Sequence, residues 1–313
     1  TAGALCAAGD TVYVGGSFVT LNNSPQSRFA QFGDADIAAP LAISVVRTDS
    51  DPTNAGSVDF AVTFSEPVIG VDAADCVVVV TGGLSGAFVV GVWGSATTYT
   101  VSVDTGAGDG TLRLDLIDDD SITDVSGNPL GGIGAGNGDF TSGEVYTIDK
   151  TSPTVLLSSL VWDPTNVSPI SVVVTFSEPV TGFNVSDLVV VNGAVSNFSG
   201  SGMSYGFDLV PLSNGLVTVD VGGGAAQDAA GNPNTAAVQF SRVYDAIPPT
   251  VLLSSSVGDP TNASLIAVAV TFSEPVTGFN ASDLVVMNGA VANFLGSGMS
   301  YGFDLVPLSN GLV

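Results

Sequence analysis

The stretch SVDFAVTFSEPV at residues 57–68 alternates: Val58, Phe60, Val62 and Phe64 are apolar, with Asp59, Ala61 and Thr63 between them. A period of two sends successive side chains to opposite faces, so the sequence predicts a strand with one face on a core. The string then returns. TFSEPV opens at Thr63, Thr175 and Thr271, and DPTN opens at Asp51, Asp163 and Asp259, both with spacings of 112 and then 96 residues. The alternation ahead of it recurs in phase as Ile170, Val172, Val174, Phe176 and as Ile266, Val268, Val270, Phe272. Self-similarity at a fixed period marks a chain of like units.

Two further markers keep the same register. An aspartate precedes a proline by four residues at Asp36 and Pro40, Asp149 and Pro153, and Asp245 and Pro249, where linkers should fall. The motif D-x-x-G-N-P spans Asp124 to Pro129 and Asp228 to Pro233, and a third copy would lie beyond Val313. More β-rich runs, at 76–80, 99–103, 111–117 and 143–148, are separated by turn-forming Gly, Asn, Asp and Pro clusters. No segment has helical periodicity. A repeat of 96 residues with some seven short strands is the size of an immunoglobulin-like (Ig-like) sandwich. The fold class expected is all-β: tandem Ig-like β-sandwiches in an elongated array, behind a short N-terminal β segment. The boundaries read as 1–36 for that segment, 37–149 for a first module, 150–245 for a second and 246–313 for an incomplete third. The first module is longer by 16 residues, which fall around 84–95 and 130–140 and are expected in loops.

Of the 313 residues 45% are hydrophobic, enough for packed cores. Thirty acidic against five basic residues give a net charge of −25, which repels phosphate backbones and anionic membrane surfaces; no nucleic-acid partner is expected. Self-repulsion on that scale disfavours a compact chain unless carboxylates are spread out, screened, or neutralised by bound cations. Histidine is absent, which removes the commonest general base and zinc ligand, and with them Ser-His-Asp and His-metal chemistry. Cys6 and Cys76 lie in different segments, so no disulfide within a module is read from them. No run of about 18 apolar residues occurs, so no direct membrane insertion is expected. The start TAGALCAAGD lacks the basic region of a secretion signal.

TFSEPV, DAAGNP and the Asp-x-x-x-Pro linker, in register over residues 37–313, together resemble the bacterial Ig-like repeats of large secreted and surface proteins, adhesins among them. The resemblance implies an Ig-like fold, an extracellular or cell-surface location, a structural or adhesive role, and no catalysis. Residues 1–33 differ: GDTVYVGGSFVTLNN followed by SRFAQF resembles one repeat of a bacterial β-propeller family. A single blade cannot bury its own faces. The segment is read as the tail of a propeller upstream or as strands that dock elsewhere. At the other end Val313 corresponds to Val217, so the third module lacks counterparts of residues 218–244. Either the chain continues or another chain fills the gap by strand addition.

The candidate site is a calcium position at each module junction. In a seven-stranded sandwich the entering linker, the loop after the second strand and the loop between the last two strands share one end. If TFSEPV closes the second strand, Asp36, Glu66, Asp124 and Asn128 gather at the top of the first module. Asp149, Glu178, Asp228 and Asn232 do so in the second, and Asp245 with Glu274 in the third. Asp51 and Asp163, which open DPTN at the opposite end, would face the next junction. Calcium takes about six to eight oxygens, and extracellular modules hold it with Kd of roughly 10⁻⁴ to 10⁻³ M. The same residues also read plainly as Asx turns and solvated strand ends.

Other features read as structure. Asp118, Asp119 and Asp120 form the densest acidic run and are expected in a solvated loop; GGIGAGNGD at 131–139 is expected to be a flexible one. Tyr99, Tyr205 and Tyr301 recur on a β-run and read as packing residues, and Trp162 as a junction contact. The sequons at Asn184 and Asn280 carry little weight. No catalytic residue emerges. The function expected is a non-enzymatic scaffold, a stalk or fibre segment whose partners are other modules of the same or a longer chain. Two rival readings stand beside it: a filament subunit joined to identical subunits by strand complementation, and an accessory segment of a large secreted hydrolase.

Overall fold

The alternation at 57–68 forms the strand Ser57–Ile69, which pairs with Ala42–Arg47 on one side and Phe88–Asp104 on the other. Thr123–Asp124 adds a short pairing at its far end. A second antiparallel sheet, Val145–Ile148, Gly110–Leu116 and Cys76–Gly82, lies across the core. Phe60, Val62 and Phe64 from the first sheet meet Leu112, Leu114 and Tyr146 from the second in one buried cluster. This computed structural model describes residues 36–313 in full and, of residues 1–35, only strand backbones. Those are Ala2–Ala8, Thr11–Gly16 and Phe29–Phe32 in one antiparallel sheet, and Thr20–Leu21 paired with Ser24–Pro25. The propeller reading of residues 1–33, like the state of Cys6, lies outside the described residues.

The same plan repeats. Val155–Ser158, Ile170–Val180 and Gly193–Pro211 make one sheet; Leu188–Val191, Gly215–Val221 and Phe240–Tyr244 make the facing one. Their core gathers Ile170, Val172, Val174 and Phe176 with Leu209, Val217, Val219 and Phe240. Phe64 and Phe176 therefore occupy two separate interiors, and Phe272 belongs to neither. Val251–Ser254, Ile266–Val276 and Gly289–Pro307 copy the first of these sheets, strand for strand. Ile266, Val268 and Leu305 are only half-buried there, where Ile170, Val172 and Leu209 are fully buried.

The longest strands are folded back on themselves. An extended chain would hold Asn197 and Asp208 about 36 Å apart, yet Asn197 Nδ2 donates to Asp208 Oδ2 at 2.7 Å. The rings of Phe198 and Tyr205 stack with centroids 6.0 Å apart. Gly193–Pro211 is thus a hairpin that turns at Gly200 and Gly202, whose φ values are 125° and 61°. A Cβ on Gly200 would lie 2.4 Å from Ser204 O, so only glycine fits. Among the described residues the only helical elements are three-residue 3₁₀ turns, Ala73–Asp75, Val185–Asp187 and Ala281–Asp283. Asp72, Asn184 and Asn280 cap them, which gives the two sequon asparagines a structural task.

Three sequence expectations about the enlarged first module need correction. The extra length near 84–95 is not all loop: Cys76–Gly82 has seven residues against four in Leu188–Val191, and Phe88 already begins the next strand. The acidic run is not simply solvated, and the glycine-rich loop is tied down. Asp118, 3% exposed, accepts from the N–H of Asp120 at 3.0 Å and of Gly138 at 3.1 Å. Asp139 accepts from Asp118 N at 2.8 Å, and Asp120 from Gly134 N at 3.0 Å. Backbone donors are what allow a carboxylate to be buried without a basic partner.

Candidate metal centre

Proline places the glutamates. Pro67 has no N–H for a ladder, and pairing of Ser57–Ile69 with Phe88–Asp104 jumps from Thr63–Thr98 to Val68–Ala96. The strand closes with TFSEPV, as the sequence suggested, ending at Ile69 one residue past the motif and at Val180 and Val276 in its repeats, but it bulges within the motif. The jump recurs as Thr175–Ser204 to Val180–Gly202 and as Thr271–Ser300 to Val276–Gly298. Tyrosine hydroxyls fasten each bulge: Tyr99 donates to Val68 O at 2.7 Å, Tyr205 to Val180 O at 3.4 Å and Tyr301 to Val276 O at 3.2 Å. Glu66 and Glu178 lie in the stretch where the ladder is interrupted.

The D-x-x-G-N-P loop supplies the second carboxylate. Asp124 and Asp228 are 1% and 4% exposed. Asp124 Oδ1 accepts from the N–H of Ser126 and of Asn128, both at 2.8 Å, and its Oδ2 from Asn128 Nδ2 at 2.7 Å. Asp228 is held likewise by Asn232 N and Nδ2, both at 2.8 Å. The same amides reach the linkers: Asn128 Nδ2 donates to Asp36 O at 3.0 Å and Asn232 Nδ2 to Asp149 O at 2.8 Å. Each linker aspartate is thereby drawn over its loop. The outcome is two triads, Asp36, Glu66, Asp124 and Asp149, Glu178, Asp228, with one oxygen from each carboxylate within 4.8 Å of the others.

Crowding shows in the protonation equilibria. Burial first, then the charges of Asp36 and Asp124, push the Glu66 carboxyl above its ordinary value. Glu178 is raised by burial, then by Asp149, Asp228 and Asp109. Burial also works upward on Asp124, but the hydrogen bonds from Asn128 and Ser126 outweigh it and hold that carboxyl low. The basic side chains of the described residues are engaged elsewhere. Arg47 pairs with Asp51 and Glu144, and Arg113 with Asp115. Lys150 Nζ donates to Thr105 Oγ1 and Gly106 O; Arg242 donates to the carbonyls of Ser159, Val161 and Ser241. Three carboxylates without a basic partner form an all-oxygen set, and that donor chemistry fits calcium.

The remaining candidates lie apart from the triads. Asp51 binds Arg47 and accepts from Thr147 N at 2.5 Å; Asp163 accepts from Val243 N at 2.7 Å. Both therefore anchor DPTN to the last strand of their own module, at the end that meets the next junction as the sequence expected, but neither joins an acidic triad. Asp245 accepts from Ile247 N at 3.0 Å. Among the described residues neither it nor Glu274 belongs to an acidic triad. Trp162 is 87% exposed and is not packed into a junction. Two residues not singled out from the sequence bear on the second triad. Asp109, from the first module, accepts from Lys150 N at 2.6 Å and lies close enough to act on Glu178. Asn54, inside the DPTN string, reaches Asn232.

The family described as bacterial Ig-like domain matches residues 149–243 and 245–311, together just over half of the chain. The chain belongs to that family. The crystal structure of invasin, a bacterial integrin-binding protein, is similar over 86% of this chain at 12% identity with a TM-score of 0.32. The similarity covers 55% of the invasin chain. No curated protein matches the chain in sequence. Among the described residues no helix is long and apolar enough to cross a membrane.

Proposed function

We propose that this chain is a stretch of extracellular, non-catalytic scaffold, a stalk or fibre segment built from modules 37–149, 150–245 and 246–313. Calcium at the module ends, held by Asp36, Glu66 and Asp124 and by Asp149, Glu178 and Asp228, would supply positive charge that the polypeptide does not. The single observation behind this reading is the recurrence of one acidic triad at the same place in two units with separate cores. A cation there offsets the mutual repulsion and ties the linker to the bulge and to the last loop, which stiffens the junction. The net charge of −25 favours solubility and discourages association between neighbouring copies. Small-angle X-ray scattering and thermal unfolding in chelator, in millimolar calcium and in millimolar magnesium test both parts. A profile typical of a single globule sinks the scaffold reading. If neither the melting temperature nor the maximum dimension responds to calcium beyond its response to magnesium, the metal reading fails alone.

A further inference from the structure

DPTN recurs three times, and only part of it is explained by its own module. Asp51 fixes the loop to Thr147 N, and Thr53 zips it to the last strand, donating its N–H to Thr147 O at 3.0 Å and accepting from Asp149 N at 3.1 Å. Asp163 and Thr165 do the same in the second module, on Val243 and Asp245. That leaves the asparagine. Asn54 N–H donates to Ala230 O at 3.2 Å and Asn54 Nδ2 to Asn232 Oδ1 at 3.1 Å. Both acceptors belong to the D-A-A-G-N-P loop of the following module. The Asn232 amide has no freedom to turn round, because its Nδ2 is committed to two acceptors, Asp228 Oδ2 and Asp149 O. Its Oδ1 is the end that faces the junction, and only a donor fits opposite. The turn that presents it depends on Gly231, at φ 92°.

We propose that the asparagine of DPTN is the docking residue with which a module grips the G-N-P loop of the module after it. The surface is the loop tip at Asn54, and the partner it fits is a tight acidic turn whose amide oxygen is held outward by a neighbouring carboxylate. Aspartate anchors, threonine zips and asparagine reaches, which accounts for the order of the motif. Asn128 is held in the same orientation, with Nδ2 on Asp124 Oδ2 and Asp36 O, so the first module carries the same receiving loop. The proposal rests on the reading of the chain as serial modules.

The test uses the full chain, with hydrogen exchange read by mass spectrometry over residues 228–234 and X-ray scattering on the same samples. Asn54→Ala removes the side-chain donor from the first module and should speed exchange in this segment of the second by about fivefold, the worth of one hydrogen bond. Asn54→Asp sets an acceptor against the Asn232 oxygen and should speed it further. Asn166→Ala, at the opposite end of the second module from this contact, should leave the segment unchanged. Paired with Asn232→Ala, Asn54→Ala should be non-additive. Unchanged exchange over 228–234 in both Asn54 variants, or strict additivity in the cycle, overturns the docking role while an elongated scattering profile leaves the serial reading intact. A compact profile overturns the serial reading, and the docking role with it.

Discussion

Replacing Glu178 by Gln keeps the side chain's size and removes one charge from a triad whose carboxylate oxygens lie within 4.8 Å of one another. Two unit charges that close repel by about 0.9 kcal/mol in water, and by roughly half that behind a physiological Debye length. Glu178 faces two such partners, Asp149 and Asp228. Without metal, Glu178→Gln should therefore stabilise the second module by about 1 kcal/mol, screening included, or roughly 4–8 °C in melting temperature. Calcium reverses the sign. At about tenfold over a Kd near 1 mM the parent gains about 1.4 kcal/mol, and the variant, one carboxylate short, forgoes most of it. Calorimetry in chelator and then in about 10 mM calcium reads both differences. A variant that melts below the parent in chelator, or gains as much from calcium, refutes the reasoning.

Tyr146, fully buried, accepts from Thr48 N at 3.0 Å and Asp49 N at 2.9 Å and donates to Asp59 O at 2.8 Å. Tyr146→Phe strands these groups and should cost the first module about 1–3 kcal/mol in urea unfolding. Burial, then the charges of Asp75 and Asp72, push the Cys76 thiol up to about 12. Native protein at mildly alkaline pH should leave it unalkylated by iodoacetamide, with labelling by peptide mass spectrometry only once the module unfolds. Hydrogen bonds from Thr151 and Lys150 hold the Asp109 carboxyl below its ordinary range. Its contribution to stability is thus present at neutral pH and lost as pH falls through that lowered value. Asp109→Asn should flatten the acid limb of melting temperature against pH, below about pH 4.

The strands and the triads were legible for one reason: both follow from backbone geometry that leaves a mark on spacing. Period two is imposed by the pleat, so Val58 to Phe64 had to face one core. Any sandwich brings its entering linker and its last loop to one end, so Asp36 and Asp124 could be paired in advance. Long-range hydrogen bonding leaves no such mark. The partner of Asp51 is a backbone N–H 96 residues away, and an aspartate before proline gives no hint of which way it will reach. The fold-back of Gly193–Pro211 escapes notice because alternation is the same in a straight strand and in either arm of a hairpin. Least legible is the exchange of Tyr146 for Arg242. Each sits two residues before the bridge to the DPTN threonine. Tyr146 accepts from the N–H groups of Thr48 and Asp49, whereas Arg242 donates to the carbonyls of Ser159 and Val161. Tyr146 both receives and gives, with a further bond to Asp59 O, where Arg242 only gives, and residue similarity cannot reveal the exchange.

The two properties of the junction meet in one side chain. Asn232 Nδ2 holds Asp228 and the Asp149 carbonyl, and so helps to assemble the triad, while its Oδ1 receives Asn54 from the preceding module. Charge and docking are consequently not independent. Repulsion that moved Asp149 or Asp228 apart would loosen the amide that presents the docking oxygen, and a cation bound there as proposed would fix it. Lys150 strengthens the argument from the other side of the seam. It follows Asp149 in the linker, yet its ammonium turns away from the carboxylates to the carbonyl of Gly106 and the hydroxyl of Thr105 in the first module. The one lysine of the chain is spent on holding the linker to the module behind it. On the proposed function, relief of the repulsion ahead would fall to ions from solution, and stiffness at this seam would then depend on the medium as well as on the sequence.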